Sequence, residues 1–267
     1  MSPRWSVIIC SINAAKYAQV TQCWQGLLAG NTFEIIGIHD AKSLCEAYNR
    51  GIAQARGDIV VFSHDDILIL DPAGDFATKT EARLQQHDLL GFAGTSEVRD
   101  AHWWAAGPAA MRGAVAHAAP GARQLSLFVY GVTNEDVMPA QAVNGLCFIA
   151  HRRALTTHRF DADSFDGFHL YDIDFSYRAH LAGLRVGVMS DVPIIHFSGG
   201  SFDANWQRYR ERFLHKHAAT LGYAPGSAIP APQPLKARVG EFVDCDALLT
   251  AWQAPILRRA TIALRRS

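Results

Sequence analysis

The sequence has no excess of either charge, no long apolar run and no paired-cysteine motif, and each absence closes off a class of protein. Lysine plus arginine number 25 and aspartate plus glutamate number 25, so the formal net charge is zero. A dedicated nucleic-acid binder carries a basic excess, so no nucleic-acid partner is expected. No stretch approaches the roughly 18 uninterrupted apolar residues of a membrane span. The amino terminus, Met1-Ser2-Pro3-Arg4-Trp5, leads into only a short apolar run and lacks the longer apolar core of a secretory leader. The five cysteines (Cys10, Cys23, Cys45, Cys147, Cys245) are odd in number and scattered, with no Cys-x-x-Cys. They are expected as reduced, mostly buried thiols of a cytoplasmic protein, with a thiol nucleophile as the lesser alternative. Two phosphate-binding signatures are also missing. Ser11-Ile12-Asn13 follows the first apolar run in place of Gly-x-Gly-x-x-Gly, and no Gly-x-x-x-x-Gly-Lys-Ser/Thr occurs. This argues against a nicotinamide oxidoreductase and a P-loop kinase.

What is present fits a compact globular protein. Hydrophobic residues make up 49% of the 267 and charged residues 19%, which excludes a disordered chain. The length allows one large domain or two small ones, with a core that needs no staples. Over the first hundred residues strand and helix patterns alternate. Strands are expected at 6–10, 33–38, 59–62 and 89–93, and helices at 14–29, from Ser43 with Glu46 as a capping box, and at 75–86. Such alternation predicts βαβ units and a mainly parallel sheet. The pattern loosens between 96 and 141, where only 125–130 reads as a strand, so a functional insert is expected there. A strand at 143–149, a helix at 171–182, strands at 184–188 and 193–196 and a helix at 202–221 follow. Pro225, Pro230, Pro232 and Pro234 mark 223–245 as a linker, and 246–267 is expected as a basic helical tail carrying Arg258, Arg259, Arg265 and Arg266. That tail suits either packing on the domain or a peripheral contact with anionic lipid at the inner face of a membrane.

In parallel α/β sheets, ligands bind beyond the carboxyl ends of the strands. His39-Asp40 follows the second strand, His64-Asp65-Asp66 the third, and the strand ending at Ile195 leads into His196. These are part of an unusual complement of 12 histidines. Hard oxygen donors such as Asp65 and Asp66 suit Mg²⁺ or Mn²⁺, and they equally suit a turn. Asp172 opens a helix, where a carboxylate serves as a cap or as a general base. Asp174 and Arg178 stand at i and i+4 and are expected to pair. Trp103-Trp104 suits either the apolar face of a sugar or packing. Trp206, Tyr209 and Phe213 have the spacing of a buried helix face.

The order of these pieces resembles the family 2 glycosyltransferases, enzymes of the GT-A fold that use nucleotide sugars. The likeness is nearest to the bacterial branch typified by the streptomycin-biosynthesis glycosyltransferase-like domain. It is carried by Ser6 to Asn13, Glu34 to Asp40, Ser43 to Asp66, Asn144-Gly145-Leu146-Cys147, Phe165-Asp166-Gly167-Phe168, Asp172-Ile173-Asp174 with Arg178, and His196 with Gly199-Gly200-Ser201. It covers residues 5–205, which implies one GT-A domain over 1–222 with 96–141 on the acceptor side.

The resemblance implies a role for each position. Ser11, Asn13, Asp40, Asn49, His64 and Asp65 fall on the donor nucleotide sugar, linked to UDP, GDP or dTDP. Asp66 and His196 fall on a Mn²⁺ or Mg²⁺ ion, and Asp172 is the base of an inverting displacement. Trp103, Trp104 and Asp174 fall on the acceptor, a glycan or small molecule. His64 replaces the first Asp of the family's Asp-x-Asp, and Tyr171 replaces the Glu of its Glu-Asp. Two other readings fit the residues. One is a metal-dependent phosphoesterase using His39, Asp40, His64, Asp65, Asp66 and His196. The other is a nucleotide-sugar binder without turnover.

Overall fold

The run from Trp5 to Cys10 has almost no polar face, and it forms strand β1 (Trp5–Cys10) inside a seven-stranded sheet. The structure is a computed structural model, and it describes residues 4–118, 124–130, 136–198, 202–221 and 238–253. From β1 the chain alternates as its periodicity predicts, through α1 (Ala14–Leu27), β2 (Phe33–Ile38), α2 (Leu44–Gln54) and β3 (Ile59–Ser63). β2 and β3 flank β1 in parallel register, with Val7 between Ile35 and Val61. Val7, Ile8, Val60, Val61 and Phe62 are fully buried, as a strand covered on both faces requires. Asn13 caps α1 by accepting from the N–H groups of Ala15 and Lys16. Ser43 caps α2 through the Glu46 N–H, while Glu46 reaches back to the N–H of Lys42, one residue beyond the usual capping box.

The chain continues through β4 (Ile67–Ile69), α3 (Phe76–Arg83), β5 (Leu89–Gly91), β6 (Ala93–Thr95), β7 (Met111–His117), β8 (Leu125–Val129), β9 (Val137–Pro139), β10 (Ala142–Val143) and β11 (Cys147–His151). A 3-10 turn, Arg152–Leu155, precedes α4 (Tyr171–Leu181), β12 (Val186–Met189), β13 (Ile194–His196), α5 (Ala204–Lys216), α6 (Ala218–Leu221), β14 (Arg238–Phe242) and α7 (Cys245–Gln253). The first sheet has the order β2-β1-β3-β11-β5-β12-β9. β11 runs against β3 and β5, and β9 runs against β12. The other five strands share one direction, so the sheet is mixed but mainly parallel. A second sheet, β10-β6-β7-β13-β4, carries β8 on β7 and β14 on β8.

Four expectations are corrected. The run 89–93 is two strands, because the chain bends at the buried Phe92 and serves one sheet with β5 and the other with β6. The run 143–149 is likewise split, and Asn144-Gly145-Leu146 form a connection between β10 and β11. The segment 96–141 is not simply irregular, since it supplies β7, β8 and β9. β7 is hard to see in the sequence because Gly113, Ala114 and Ala116 have weak strand preference. Gly113 sits at φ +102°, and any side chain there would meet the Phe92 carbonyl. Finally, 238–242 is no linker, because it forms β14 antiparallel to β8. Leu248 and Trp252 of α7 join Ala116, Leu127 and Ile195 in a small core beneath that sheet. The proline cluster 225–234 and the arginines beyond Gln253 lie outside the described residues. No helix among the described residues is long and apolar enough to cross a membrane.

The segment between β6 and β7 is anchored by a buried ion pair. Asp100 is 1% exposed and accepts from Arg210 of α5 at 2.6 and 2.9 Å, with His102 Nδ1 at 3.1 Å. Burial alone would raise this carboxyl, but the bonds from His102 and Arg210 bring it down to about 2. Arg210→Ala leaves a buried carboxylate without its main partner, so a loss of roughly 3–5 kcal/mol in unfolding free energy is expected. Urea denaturation measures it. A loss near zero would mean that the tilted contact of His102 with Trp206, 4.1 Å between ring centres, holds the segment alone.

Candidate active site

β1 and β3 end side by side, and β13 delivers His196 to the same place. Ser11, just past β1, donates to Asp65 Oδ2 at 2.6 Å. Asp66 is fixed through its backbone carbonyl, which accepts from Phe197 N–H. Its Oδ1 lies 3.3 Å from His196 Nε2 and 3.8 Å from His64 Nδ1, and its Oδ2 lies 3.2 Å from Lys16 Nζ. One donor atom from each of His64, Asp66 and His196 falls within 4.8 Å of the others. Burial favours the neutral form of Asp66, yet the His196 hydrogen bond and the charges of His196, His64 and Lys16 hold its carboxyl well below the usual range. Burial, with His196 alongside, pushes His64 down to about 4, so its imidazole stays neutral at pH 7.

A cavity of about 500 Å³ opens over this cluster. Ser11, His64, Asp65, Asp66 and His196 line it, together with Trp103, Trp104, Asn144, Gly145 and Asp172. α4 presents Tyr171 and Asp172 from its first turn. Leu170, which precedes them, is the only non-glycine with positive φ among the described residues, at +59°. An αL residue costs roughly 1–2 kcal/mol, and such strain gathers at functional sites. Asp172 is not the helix cap, since Leu170 holds that position. Asp172 Oδ2 instead accepts from the Gly145 N–H at 2.6 Å. Burial pushes its carboxyl up to about 6 despite the neighbouring backbone N–H groups.

The Gly145 peptide joins the two halves of the site. Its carbonyl accepts from the Tyr171 hydroxyl at 3.1 Å, and that oxygen lies 2.6 Å from His64 Nε2. Tyr171 has one proton to give: given to the carbonyl, it leaves the His64 proton on Nε2 and an Nδ1 lone pair facing Asp66; given to His64, it reverses that tautomer. A side chain at Gly145 would collide with Tyr171 Oη and Asp172 Cβ.

Several expected site residues lie elsewhere. Asp174 is 1% exposed and enclosed by Arg178, Lys216 and His217 at 2.7–2.8 Å, so it does not reach the cavity, and the acceptor role is withdrawn. Asn49 spends both ends of its amide on the backbone of Phe160, which removes it from the donor side. Asn13 is the cap of α1. Asp40 stands exposed at the end of β2 in an ion pair with Arg50. His39 turns its Nδ1 to the Ser11 carbonyl, and the metal-type cluster among the described residues does not extend to it. The second metal of a phosphoesterase therefore lacks ligands there. All five cysteines are unpaired, and burial raises every thiol, Cys10 to about 11, which removes the thiolate nucleophile. Lys16 and Tyr171 were given no role from the sequence. Lys16 meets Asp66 only through the fold, 50 residues apart. Tyr171 stands beside Asp172, and that adjacency was the one available signal.

Residues 6–217 match the Glycosyltransferase like family. The chain belongs to that family and is a glycosyltransferase of mixed α/β architecture. No curated protein matches it. Among solved structures it is similar to the mannosyltransferase PcManGT from Pyrobaculum calidifontis, in complex with GDP-Man and Mn²⁺. The identity is 13% and the TM-score 0.48, over 100% of this chain and 74% of that one. It is also similar to S. aureus TarS 1-349, at 14% identity and a TM-score of 0.44, over 81% of this chain and 72% of that one.

Proposed function

We propose that this chain transfers a sugar from a nucleoside-diphosphate-sugar donor to an acceptor hydroxyl with inversion at the anomeric carbon. The observation that carries the reading is the joining of two groups across one cavity: a buried carboxylate poised near pH 6 and a three-donor cluster at the strand ends. The donor set fits a divalent cation. Asp66 supplies charge, and His64 and His196 supply nitrogen, with the His64 ring held by Tyr171. Two imidazoles in three donors suit Mn²⁺ better than oxygen-seeking Mg²⁺. When bound, such an ion stabilises negative charge on the departing diphosphate.

The other steps belong to side chains. Asp172 accepts the proton of the acceptor hydroxyl, aided by burial that makes its carboxylate more basic. The acceptor oxygen bonds to the anomeric carbon as the bond to the diphosphate breaks, and the electron pair leaves with the nucleotide. Ser11 keeps Asp65 turned toward the cavity. Lys16, which lies beside Asp66, would offer its ammonium group to the donor phosphate. The order of motifs favours the streptomycin-biosynthesis glycosyltransferase-like branch within the family.

A thermal-shift screen of UDP, GDP and dTDP, each with and without Mn²⁺, tests this reading. One nucleotide is expected to raise Tm, and only with the metal present. No shift with any of the three would remove the donor site.

A further inference from the structure

A second cavity, of about 430 Å³, adjoins the first. The two share Trp103, Trp104, Asn144, His196 and Phe202, so they meet along those side chains, and Asp172 lines the first of them. The remaining walls of the second are apolar apart from His117: Phe128 and Tyr130 from β8 and its end, Val115 from β7, Ala93 from β6, and Leu146. Trp103 meets Tyr130 edge to face at 5.0 Å, and Trp104 meets Phe202 in the same way at 5.5 Å. Phe128 and Tyr130 lie nearly parallel, 6.5 Å apart.

Most polar atoms of the compartment's own walls are engaged; Asn144 Nδ2 and His196, at the junction with the first cavity, are the exceptions. His117 Nδ1 lies 3.0 Å from the Ser198 carbonyl, which only an N–H satisfies. His117 Nε2 is then an acceptor, and the Tyr130 hydroxyl donates to it at 3.3 Å. Asn144 Oδ1 accepts from the Leu146 N–H. A hexose placed here would find polar partners only at the Asn144 and His196 end, and each hydroxyl buried beyond them without a partner is costly. A flat apolar ring has no such loss and gains aromatic contact.

The rim carries the same signal independently. Ile12, Phe168 and Phe202 are 90%, 54% and 51% exposed, three of the five large apolar side chains exposed among the described residues. All three border the first cavity. Of the three, Phe202 also borders the second cavity, so the junction of the two is apolar on that side.

We infer that the acceptor is a ring-bearing apolar alcohol or phenol. Its hydrocarbon body fills the compartment of Trp103, Phe128 and Tyr130, and its hydroxyl lies at Asp172. The inference rests on the sugar-transfer reading above, with the donor in the first cavity. The acceptor hydroxyl loses its proton to Asp172 and forms the new bond to the anomeric carbon, and the nucleoside diphosphate departs with the electron pair.

Isothermal titration with 2-naphthol and with methyl glucoside, run alongside the nucleotide screen, provides the test. The expected result is 2-naphthol binding at least tenfold tighter than methyl glucoside. Val115→Trp, which fills the compartment, is expected to weaken 2-naphthol tenfold and to leave the metal-dependent nucleotide shift intact. Phe128→Ala, at a half-buried position that tolerates truncation, is expected to weaken it as well. Tighter binding of methyl glucoside overturns the inference, as does 2-naphthol binding that neither variant alters. A nucleotide shift without 2-naphthol binding overturns it and leaves the transfer reading standing. Absence of any nucleotide shift overturns both.

Discussion

Asp172→Asn is expected to lower sugar transfer by about 10²–10⁴-fold, the usual contribution of a positioned general base, with donor-nucleotide binding unchanged. The amide keeps the shape of the carboxyl and can still accept from the Gly145 N–H, but it takes no proton. The wild-type rate is expected to rise with pH through about 6, because burial raises this carboxyl to that value and only its ionised form is a base. Stability should move the other way. A carboxyl whose folded pKa lies above its unfolded value of about 3.9 stabilises the fold while protonated, and that contribution is lost as pH climbs from about 4 to above 6. The ionised group then costs up to roughly 3 kcal/mol at neutral pH, and Asn avoids that cost. Asp172→Asn should therefore melt no lower than the wild type at pH 8 while transferring far less sugar. A variant that is less stable, or one that transfers at the wild-type rate, would show that Asp172 serves the fold alone.

The contrast between Asp172 and Asp174 marks where the sequence was informative and where it misled. Two residues apart on a helix, their side chains point to nearly opposite faces. Only one of them can face a cavity, and helical spacing alone could have removed Asp174 from the acceptor side. Its neighbours Lys216 and His217 come from the end of α5, so its partners were invisible in the chain order. The strand-end residues were legible because a parallel sheet puts its ligands beyond the carboxyl ends of its strands. The rule itself places His64 and Asp66, whereas His196 reaches that edge by pairing with Ile67 of β4 in the second sheet. The rule also put His39 and Asp40 there, and it carries no information on which way a side chain turns. Buried runs such as Ile59–Val61 declared their strand by composition. β7 did not, because its stability comes from pairing with β6, β8 and β13, and Ala and Gly contribute little of their own. The apolar compartment escaped for the same reason. Val115, Phe128, Tyr130 and Leu146 form no motif, and the second sheet alone assembles them.

Asp66→Ala is expected to lower Mn²⁺ affinity by more than about 100-fold, beyond the 10–100-fold typical when an outer hydrogen-bond partner is removed. Asp66 brings the only negative charge of the three-donor cluster, and its Oδ1 faces both His196 and His64. Truncation leaves the two imidazoles without a carboxylate and removes the group that draws the cation in. Calorimetric titration of Mn²⁺ into each variant measures the change without any sugar transfer. Lys16→Ala provides a control of opposite sign. Its ammonium lies 3.2 Å from Asp66 Oδ2 and 4.0 Å from Asp65 Oδ1, so it competes with a metal for the same charge. Removing it is expected to strengthen Mn²⁺ binding severalfold at low salt and to weaken nucleoside-diphosphate binding in the presence of Mn²⁺. Lys16 is about half exposed, and salt should shrink both effects. An Asp66 that merely held Lys16 in place would give a different pattern. Neither variant would then change Mn²⁺ affinity, and both would lose stability together. The split in sign between the two substitutions therefore separates a metal site from an ion pair.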